Sequence, residues 1–132
     1  KLRTITDKKV YYVDGSVNVD IREEFKKRME KNNDVIIVAS YGTFSTGISI
    51  KNIHNIFFTE SFKSEVIIRQ SIGRGLRKHA SKEVVKIYDF IDDFRYKTED
   101  HDWVNYIYRH GIARRTIYKE EKFPFEVQNI RF

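Results

Sequence analysis

One segment organises the rest of the chain, and it reads Gln70-Ser71-Ile72-Gly73-Arg74-Gly75-Leu76-Arg77. In a helix, which turns by about 100° per residue, the polar residues share one stripe: Gln70, Gly73, Arg74 and Arg77. The apolar residues fall on the opposite face: Ile68, Ile72 and Leu76. Two guanidinium forks beside a glycine suit a polyphosphate, because the forks bind phosphate oxygens and glycine lets a ligand approach closely. The alternative is an ordinary solvated helix face.

Two strand-like runs precede this helix, and a polar turn that contains glycine joins them. Residues 35–39 are an unbroken aliphatic run, as expected for a strand covered on both faces in a parallel sheet. Residues 41–49 form the turn, and residues 56–58 are the second run. The order is therefore strand, phosphate-type loop, strand and arginine-bearing helix. Ligands of such folds gather at the carboxyl ends of the strands.

The remaining periodicities predict further elements. The predicted strands are residues 9–13, 35–39, 55–59, 83–90 and 125–132. The predicted helices are residues 20–31, 65–77 and 102–121, the last with a break at Gly111. Ile21, Phe25 and Met29 form the predicted buried face of the first helix, which Asn32-Asn33 ends. This alternation predicts an α/β domain with a mostly parallel sheet flanked by helices.

Composition narrows the class of protein. The 132 residues, 40% of them hydrophobic and 14% aromatic, predict one folded domain and exclude a disordered chain. The net charge of +6 favours a polyanionic partner such as nucleic acid. The absence of cysteine excludes a disulfide framework and a thiolate metal site, and the four scattered histidines predict no metal site. No apolar run approaches the roughly 20 residues that span a bilayer, which favours a soluble intracellular protein without a membrane partner.

Three motifs, in their order along the chain, resemble those of superfamily 2 helicases. The pattern Gln70-x-x-Gly73-Arg74-x-x-Arg77 resembles motif VI, and residues 39–49 resemble motif V. Tyr12-Val13-Asp14-Gly15, with the charged helix that follows, resembles the segment before motif V in the second RecA-like domain. The runs at residues 37–42, 44–49 and 76–79 are similar to those of DNA helicases of T-even-like bacteriophages.

The resemblance implies a RecA-like fold and a domain organisation. Residues 1–98 would form a partial second RecA-like domain that lacks its first strand. Residues 99–132 would form a helical extension and a terminal strand, which pack on that domain. A sheet without its first strand exposes backbone donors and acceptors, and so predicts self-association through the incomplete sheet.

The resemblance also implies an ATP-dependent DNA helicase or translocase, which hydrolyses ATP and acts in phage recombination, repair and replication-fork processing. The chain contains neither a Walker A sequence nor a Walker B pair, so ATP and Mg²⁺ would be held mainly by an absent upstream RecA-like domain. Arg74 and Arg77 would be arginine fingers, with Gln70 fixing their geometry. The residues that would approach the nucleotide are Gly47, Ser49 and Gly73; many members of the family carry Asp at the position of Ser49.

Single-stranded or branched DNA is the expected partner, bound through its phosphates. The predicted contacts are hydroxyls and backbone amides in loops at strand ends: Gly15, Ser16, Ser40, Thr43 and Ser45. Such contacts fix position and do not read bases, so binding should depend on salt and be indifferent to sequence.

Several alternatives stay open. The C-terminal basic residues, Arg109, His110, Arg114, Arg115 and Lys119, are expected to form a solvated helix face rather than an extension of the DNA track. The carboxylates of Asp89, Asp92 and Asp93 are expected to cap loops rather than hold a metal ion. The aromatic side chains of residues 11, 12, 57 and 58 are expected to pack in the core rather than stack on bases. The alternative functions are a non-catalytic nucleic-acid-binding or interaction module and the motor subunit of a restriction enzyme.

Overall fold

A computed structural model describes residues 1–32, 34–47 and 49–131 of the chain. The strands are β1 (Lys9–Val13), β2 (Val35–Ala39), β3 (Asn55–Phe58), β4 (Lys86–Asp89), β5 (Tyr96–Lys97) and β6 (Asp102–Trp103). The α-helices are α1 (Val19–Glu30), α2 (Glu65–Gly75) and α3 (Tyr106–Glu120). A 3-10 helix spans Leu2–Thr4, and a π-helical segment spans Thr43–Gly47. Three residues lie outside the described ones. They are Asn33 at the predicted end of the first helix, Ile48 in motif V and Phe132 in the predicted terminal strand.

The strands pair in short sheets, and parallel pairing dominates. β1 and β2 are parallel, with Lys9 opposite Val35 and Val13 opposite Ala39. β3 and β4 form a second pair. Backbone hydrogen bonds at its two ends, from Lys86 to His54 (2.9 Å) and from Phe90 to Phe58 (3.2 Å), advance in the same direction on both strands, as in parallel pairing. β5 and β6 form a small antiparallel hairpin. The predicted α/β class with mostly parallel pairing is confirmed.

Helix α1 begins at a polar cap and closes the core over the first sheet. The side chain of Asn18 accepts a hydrogen bond from the backbone N–H of Asp20 at 3.1 Å, which satisfies one of the free donors of the first turn. Met29 is buried with Val13 and Ile50, and Phe25 packs against that cluster. The prediction for Ile21 is wrong, because its side chain is 58% exposed. Four residues turn a helix by about 40° more than one full turn, and two such steps separate Ile21 from Met29. Ile21 therefore lies about 80° around the helix axis from the buried Met29.

Helix α2 carries the arginine segment and is anchored by its apolar face. Ile68 and Ile72 are buried as predicted. Gly75 ends the helix, and a β-carbon built on it would lie 2.7 Å from Ile56 Cδ1, so any other residue there would force its neighbours to shift. Leu76 lies beyond the helix and is 55% exposed, which corrects the predicted apolar stripe.

By its contacts the chain divides into two compact units, residues 1–56 with 66–88 and residues 57–65 with 89–132. The second unit contains α3, which begins after the β5–β6 hairpin and not at residue 102. Gly111 is no break: it is buried inside α3, and a β-carbon built on it would lie 2.5 Å from Ile91 Cδ1.

Residues 123–131, predicted as a terminal strand, have neither helix nor strand. The backbone turns back at Lys122 with φ 56°, and the ring of Phe125 packs edge-on against Tyr118.

Across the described ranges, no helix is both long enough and apolar enough to cross a membrane.

Candidate functional site

Arg74 of α2 and Arg77, which lies beyond the end of that helix at Gly75 and so corrects the predicted stripe, both reach the motif V loop, which comprises residues 40–49. Arg74 Nε donates a hydrogen bond to the backbone oxygen of Ser45 at 2.9 Å. Arg77 Nη1 donates to Ser49 Oγ. Segments that are far apart in the sequence are therefore joined through two guanidinium groups. The structure thus brings the predicted motifs V and VI together.

The electrostatics of this pair favour an anion. Burial lowers the pKa of Arg74, and the positive charge of Arg77 lowers it further. The guanidinium of Arg74 still carries its positive charge, because arginine is not deprotonated in proteins. Two like charges that repel each other are stabilised when a negative group lies between them.

The other members of the predicted stripe are open to solvent. Gln70, Gly73 and Arg77 are exposed, while Arg74 is half-buried. A β-carbon built on Gly73 would meet nothing within 4 Å, so there is room for a ligand to approach this part of the helix. The exposed stripe and the two guanidiniums together provide the chemistry needed to bind phosphate oxygens.

Hydrogen bonds within the motif V loop use several of its hydroxyl groups. Ser40 Oγ donates to Thr43 Oγ1 at 2.9 Å, and Ser45 Oγ donates to the backbone oxygen of Gly42 at 3.3 Å. Thr43 and Ser45 are buried, whereas Ser40 is exposed. The hydroxyls of Thr43 and Ser45 therefore hold the shape of the loop in this arrangement, and Ser40 offers the accessible hydroxyl.

The turn between β1 and α1 is the other loop predicted to contact DNA. Asp14 Oδ1 accepts hydrogen bonds from Ser16 Oγ (2.5 Å) and from the backbone N–H of Ser16 (2.9 Å). The hydrogen bond from the Ser16 side chain lowers the pKa of Asp14 most, and the bond from the Ser16 backbone lowers it further. Gly15 and Ser16 are exposed at the tip of the turn.

Arg22 of α1 is a residue that sequence reasoning missed. Its Nη2 donates to the backbone oxygen of Gly15 at 2.9 Å, and its Nη1 lies 3.0 Å from the place that a β-carbon on Gly47 would occupy. The sequence signal was weak, because Arg22 is one of several charged residues on a polar helix.

Among residues 1–32, 34–47 and 49–131, no group of three or more His, Asp or Glu side chains is placed to hold a metal ion. The guanidiniums of Arg74 and Arg77 present planar donor forks of the kind that suits the phosphate oxygens of a nucleotide.

The C-terminal basic run is not a uniform solvated face. Arg114 is fully buried and binds the carboxylate of Asp89 through Nε and Nη2 at 2.7–3.0 Å. Its Nη1 also donates to the backbone oxygen of Phe62 at 2.8 Å. His110 is half-buried, and its Nδ1 shares a 2.8 Å hydrogen bond with Ser61 Oγ. The prediction of a solvated face is wrong for Arg114, because its charge is neutralised by an acid from β4.

The predicted roles of the acidic and aromatic residues also change. Asp89 is the last residue of β4 and pairs with a buried arginine, so it is not a loop cap. Asp93 does cap its loop as predicted, because its Oδ1 accepts a hydrogen bond from the backbone N–H of Arg95 at 3.1 Å, and its Oδ2 also pairs with the Arg95 guanidinium at 2.7 Å. Tyr12 and Phe57 are 64% and 56% exposed, whereas Phe58 is buried, as expected from the alternation of side chains along a strand.

Comparison with known proteins gives the same assignment as the motifs. No protein family model matches the chain. A protein of Enterobacteria phage T4, the ATP-dependent DNA helicase uvsW, is 41% identical over 128 residues, which cover 92% of this chain and 26% of that protein. The putative ATP-dependent helicase IRC3 of Saccharomyces cerevisiae is 33% identical over 88 residues, or 61% of this chain and 13% of that protein.

Solved structures agree in fold. The crystal structure of T4 UvsW superposes with a TM-score of 0.68 at 41% identity, covering 91% of this chain and 25% of that one. The C-terminal part of the Fun30 ATPase domain superposes with a TM-score of 0.60 at 20% identity, covering 90% of this chain and 42% of that one, and supports the fold alone. The chain spans about a quarter of the length of the T4 relative. Sequence and fold together identify the chain as a relative of the second, C-terminal RecA-like domain of UvsW-type superfamily 2 helicases.

Proposed function

We propose that this chain is the C-terminal motor domain of an ATP-dependent DNA helicase or translocase, and that Arg74 and Arg77 are its arginine fingers. The observation that carries the proposal is that both guanidiniums are held against the motif V loop, through Ser45 and Ser49. A helix with a merely solvated arginine face would not direct both groups to the same loop.

The chain's own residues would act by binding and orienting phosphate oxygens. The hydrogen bond to Ser45 fixes Arg74, and the exposed side chain of Arg77 leaves the rest of its fork free to reach a phosphate. Gln70 and Gly73 border the same surface, and Gly47 and Ser49 belong to the facing loop. ATP would supply the phosphoryl group whose transfer releases energy. Guanidiniums that neutralise the charge of such a transition state raise rates by about 10³ to 10⁵.

The remaining parts of the nucleotide site would come from an upstream RecA-like domain. That domain would provide the Walker A and Walker B residues and the ligands of Mg²⁺, so we expect the chain alone to be inactive. We further propose that residues 1–98 act as the RecA-like part and residues 99–132 as an extension of it. Copies of the chain would associate through the edge of the first sheet, which pairs with no third strand among the described residues.

DNA would bind through its backbone. Gly15, Ser16 and Ser40 are exposed in loops that follow strands, where backbone amides and hydroxyls are accessible to phosphates. Thr43 and Ser45 would support the motif V loop from inside. By its similarity to the T4 helicase, we propose that the whole protein acts on branched DNA in phage recombination, repair and replication-fork processing.

The test joins this chain to an upstream ATP-binding RecA-like domain and measures DNA-stimulated ATP hydrolysis. Arg77→Ala should lower kcat by about 10³-fold or more, because one positive charge at the transition state is lost, while ATP affinity changes much less. Arg109→Ala removes the same charge from the exposed surface of α3 and should leave kcat unchanged. A value of kcat for Arg77→Ala close to that of the unsubstituted protein would contradict the arginine-finger role. DNA binding without any hydrolysis by the unsubstituted protein would instead indicate a non-catalytic interaction module.

A further inference from the structure

Arg22 lies between the two loops to which DNA contacts have been assigned. We propose that Arg22 is a positioning residue that holds the Gly15–Ser16 turn and the motif V loop in one DNA-binding arrangement. The proposal rests on the proposed function, and it assigns a role to a residue outside the helicase motifs.

The contacts of Arg22 reach both loops at once. Its Nη2 donates a 2.9 Å hydrogen bond to the backbone oxygen of Gly15. On the other side, a β-carbon on Gly47 would lie 3.0 Å from Nη1 and 3.9 Å from Cζ of the same guanidinium. The planar group therefore touches the β1–α1 turn with one nitrogen and packs against motif V with the other.

Glycine at position 47 is explained by this contact. The motif V backbone approaches the guanidinium so closely that a β-carbon at this position would press on Nη1, and the guanidinium would have to give by a few tenths of an ångström. Arg22 is half-buried, and its Nε is buried without a hydrogen-bond partner among the described residues. A buried donor without a partner costs free energy, so the position of this side chain is set by its contacts with the two loops.

The functional consequence concerns the spacing of successive phosphates. The exposed tip at Gly15 and Ser16 and the exposed hydroxyl of Ser40 would contact the same DNA backbone. Simultaneous binding to both loops requires that they be held at a fixed separation, since ordering them on binding would cost affinity. Arg22 provides that order before DNA binds, without itself contacting a phosphate.

The first experiment uses the protein that joins this chain to an upstream ATP-binding domain, with a fluorescent single-stranded oligothymidylate as the probe. Arg22→Ala should raise the Kd for the probe about tenfold, the loss expected for one hydrogen bond from a charged donor. The DNA concentration for half-maximal ATP hydrolysis should rise in parallel, with kcat at saturating DNA within about twofold of the unsubstituted value. Arg28→Ala is the matched control: it removes an arginine from the same helix, where Arg28 is exposed and pairs with Glu24 at 2.7 Å, and should leave Kd unchanged.

Salt dependence separates positioning from direct contact. If Arg22 positions loops, the slope of log Kd against log salt should be the same for Arg22→Ala and for the unsubstituted protein. A slope smaller by about one would mean that Arg22 itself neutralises a phosphate, and would overturn the positioning role.

A double-mutant cycle with Gly47→Ala completes the test. Alone, Gly47→Ala should raise Kd because its methyl group displaces the guanidinium, and the fold should survive because a flexible side-chain end can move. In the Arg22→Ala background the same substitution should have little further effect. Equal effects of Gly47→Ala in both backgrounds would overturn the proposal, as would a Kd for Arg22→Ala equal to that of the unsubstituted protein. Failure of the unsubstituted protein to bind the probe or hydrolyse ATP would instead overturn the proposed function, and this inference with it.

Discussion

At the scale of single residues, Arg114 shows how a charge can be buried without penalty to the fold. The guanidinium is fully buried, and the Asp89 side chain that it binds is only 12% exposed. Tyr118 donates a further hydrogen bond to Asp89 Oδ2 at 2.9 Å, and the backbone oxygen of Phe62 accepts another from Arg114. Every charge in this cluster has a partner, so the desolvation of each ion is offset by its contacts.

Arg114→Ala should lower the free energy of unfolding by about 3–5 kcal/mol, since it leaves the Asp89 carboxylate without its counter-ion in a mostly buried position. Urea denaturation measures this change. Arg109→Ala, which removes an exposed arginine from the same helix, should change stability by less than about 0.5 kcal/mol. Equal stability of the two variants would mean that the Arg114–Asp89 pair contributes nothing.

Tyr118 makes the stability of the same cluster depend on alkaline pH. Burial first, and then the negative charge of Asp89, raise the pKa of the Tyr118 phenol above its ordinary value. The folded state therefore binds its proton more tightly than the unfolded state does. The resulting stabilisation is complete below about pH 10 and is lost as pH rises through the higher pKa of the folded state.

Tyr118→Phe has no proton to lose, so its stability should fall less above about pH 10 than that of the unsubstituted chain. Denaturant unfolding of both proteins between neutral pH and pH 11 measures the difference. At neutral pH the unsubstituted chain should be the more stable of the two, because it keeps the hydrogen bond to Asp89. Parallel curves across the whole range would contradict the assignment.

At the scale of elements, two glycines of α2 serve different purposes. Gly75 faces Ile56 and Val85, whose nearest methyl groups would lie 2.7 and 3.2 Å from an added β-carbon. Gly73, half a turn earlier, has open space around it. The first glycine permits close packing of the helix, and the second leaves the surface of the arginine stripe clear.

The two glycines should therefore respond to alanine with opposite signs. Gly75→Ala should destabilise the chain by about 1–3 kcal/mol through overpacking. Gly73→Ala should stabilise it by about 0.5–1 kcal/mol, because alanine loses less backbone entropy in a helix. Thermal unfolding of both variants distinguishes the two cases, and a stabilised Gly75→Ala variant would show that this contact is not tight.

At the scale of the whole molecule, the net charge of +6 and the exposed loops at strand ends predict how DNA is bound. We expect the affinity for single-stranded DNA to fall steeply as salt rises, since binding to phosphates releases counter-ions. Oligonucleotides of the same length but different base composition should bind within about threefold of each other, because backbone contacts carry no sequence information. Fluorescence anisotropy titrations at several salt concentrations test both points. A strong preference for one base sequence would require base contacts that the proposed loops do not make.

The sequence by itself determined the class of fold and the order of the motifs. Aliphatic runs separated by amphipathic helices specify parallel α/β pairing, and the spacing from Gln70 to Arg74 places these polar residues on one face of α2, whereas Arg77 lies past the helix end at Gly75. Both follow from local periodicity, which a chain carries wherever it folds. The predicted helices and strands accordingly begin and end within a few residues of their predicted bounds, apart from the start of α3 and the terminal segment, whereas the β5–β6 hairpin was not predicted.

Only the tertiary structure decided which charged and aromatic side chains are buried. Arg114 and Arg109 are indistinguishable in the sequence, yet one is enclosed by an acid of a distant strand and the other faces solvent. Tyr12 and Phe57 have the character of core residues, but both are mostly exposed. Arg22 gained its place between two loops from contacts with residues as distant as Gly47. Periodicity specifies which face a residue occupies, but what covers that face depends on elements far away in the sequence, and no local pattern encodes their position.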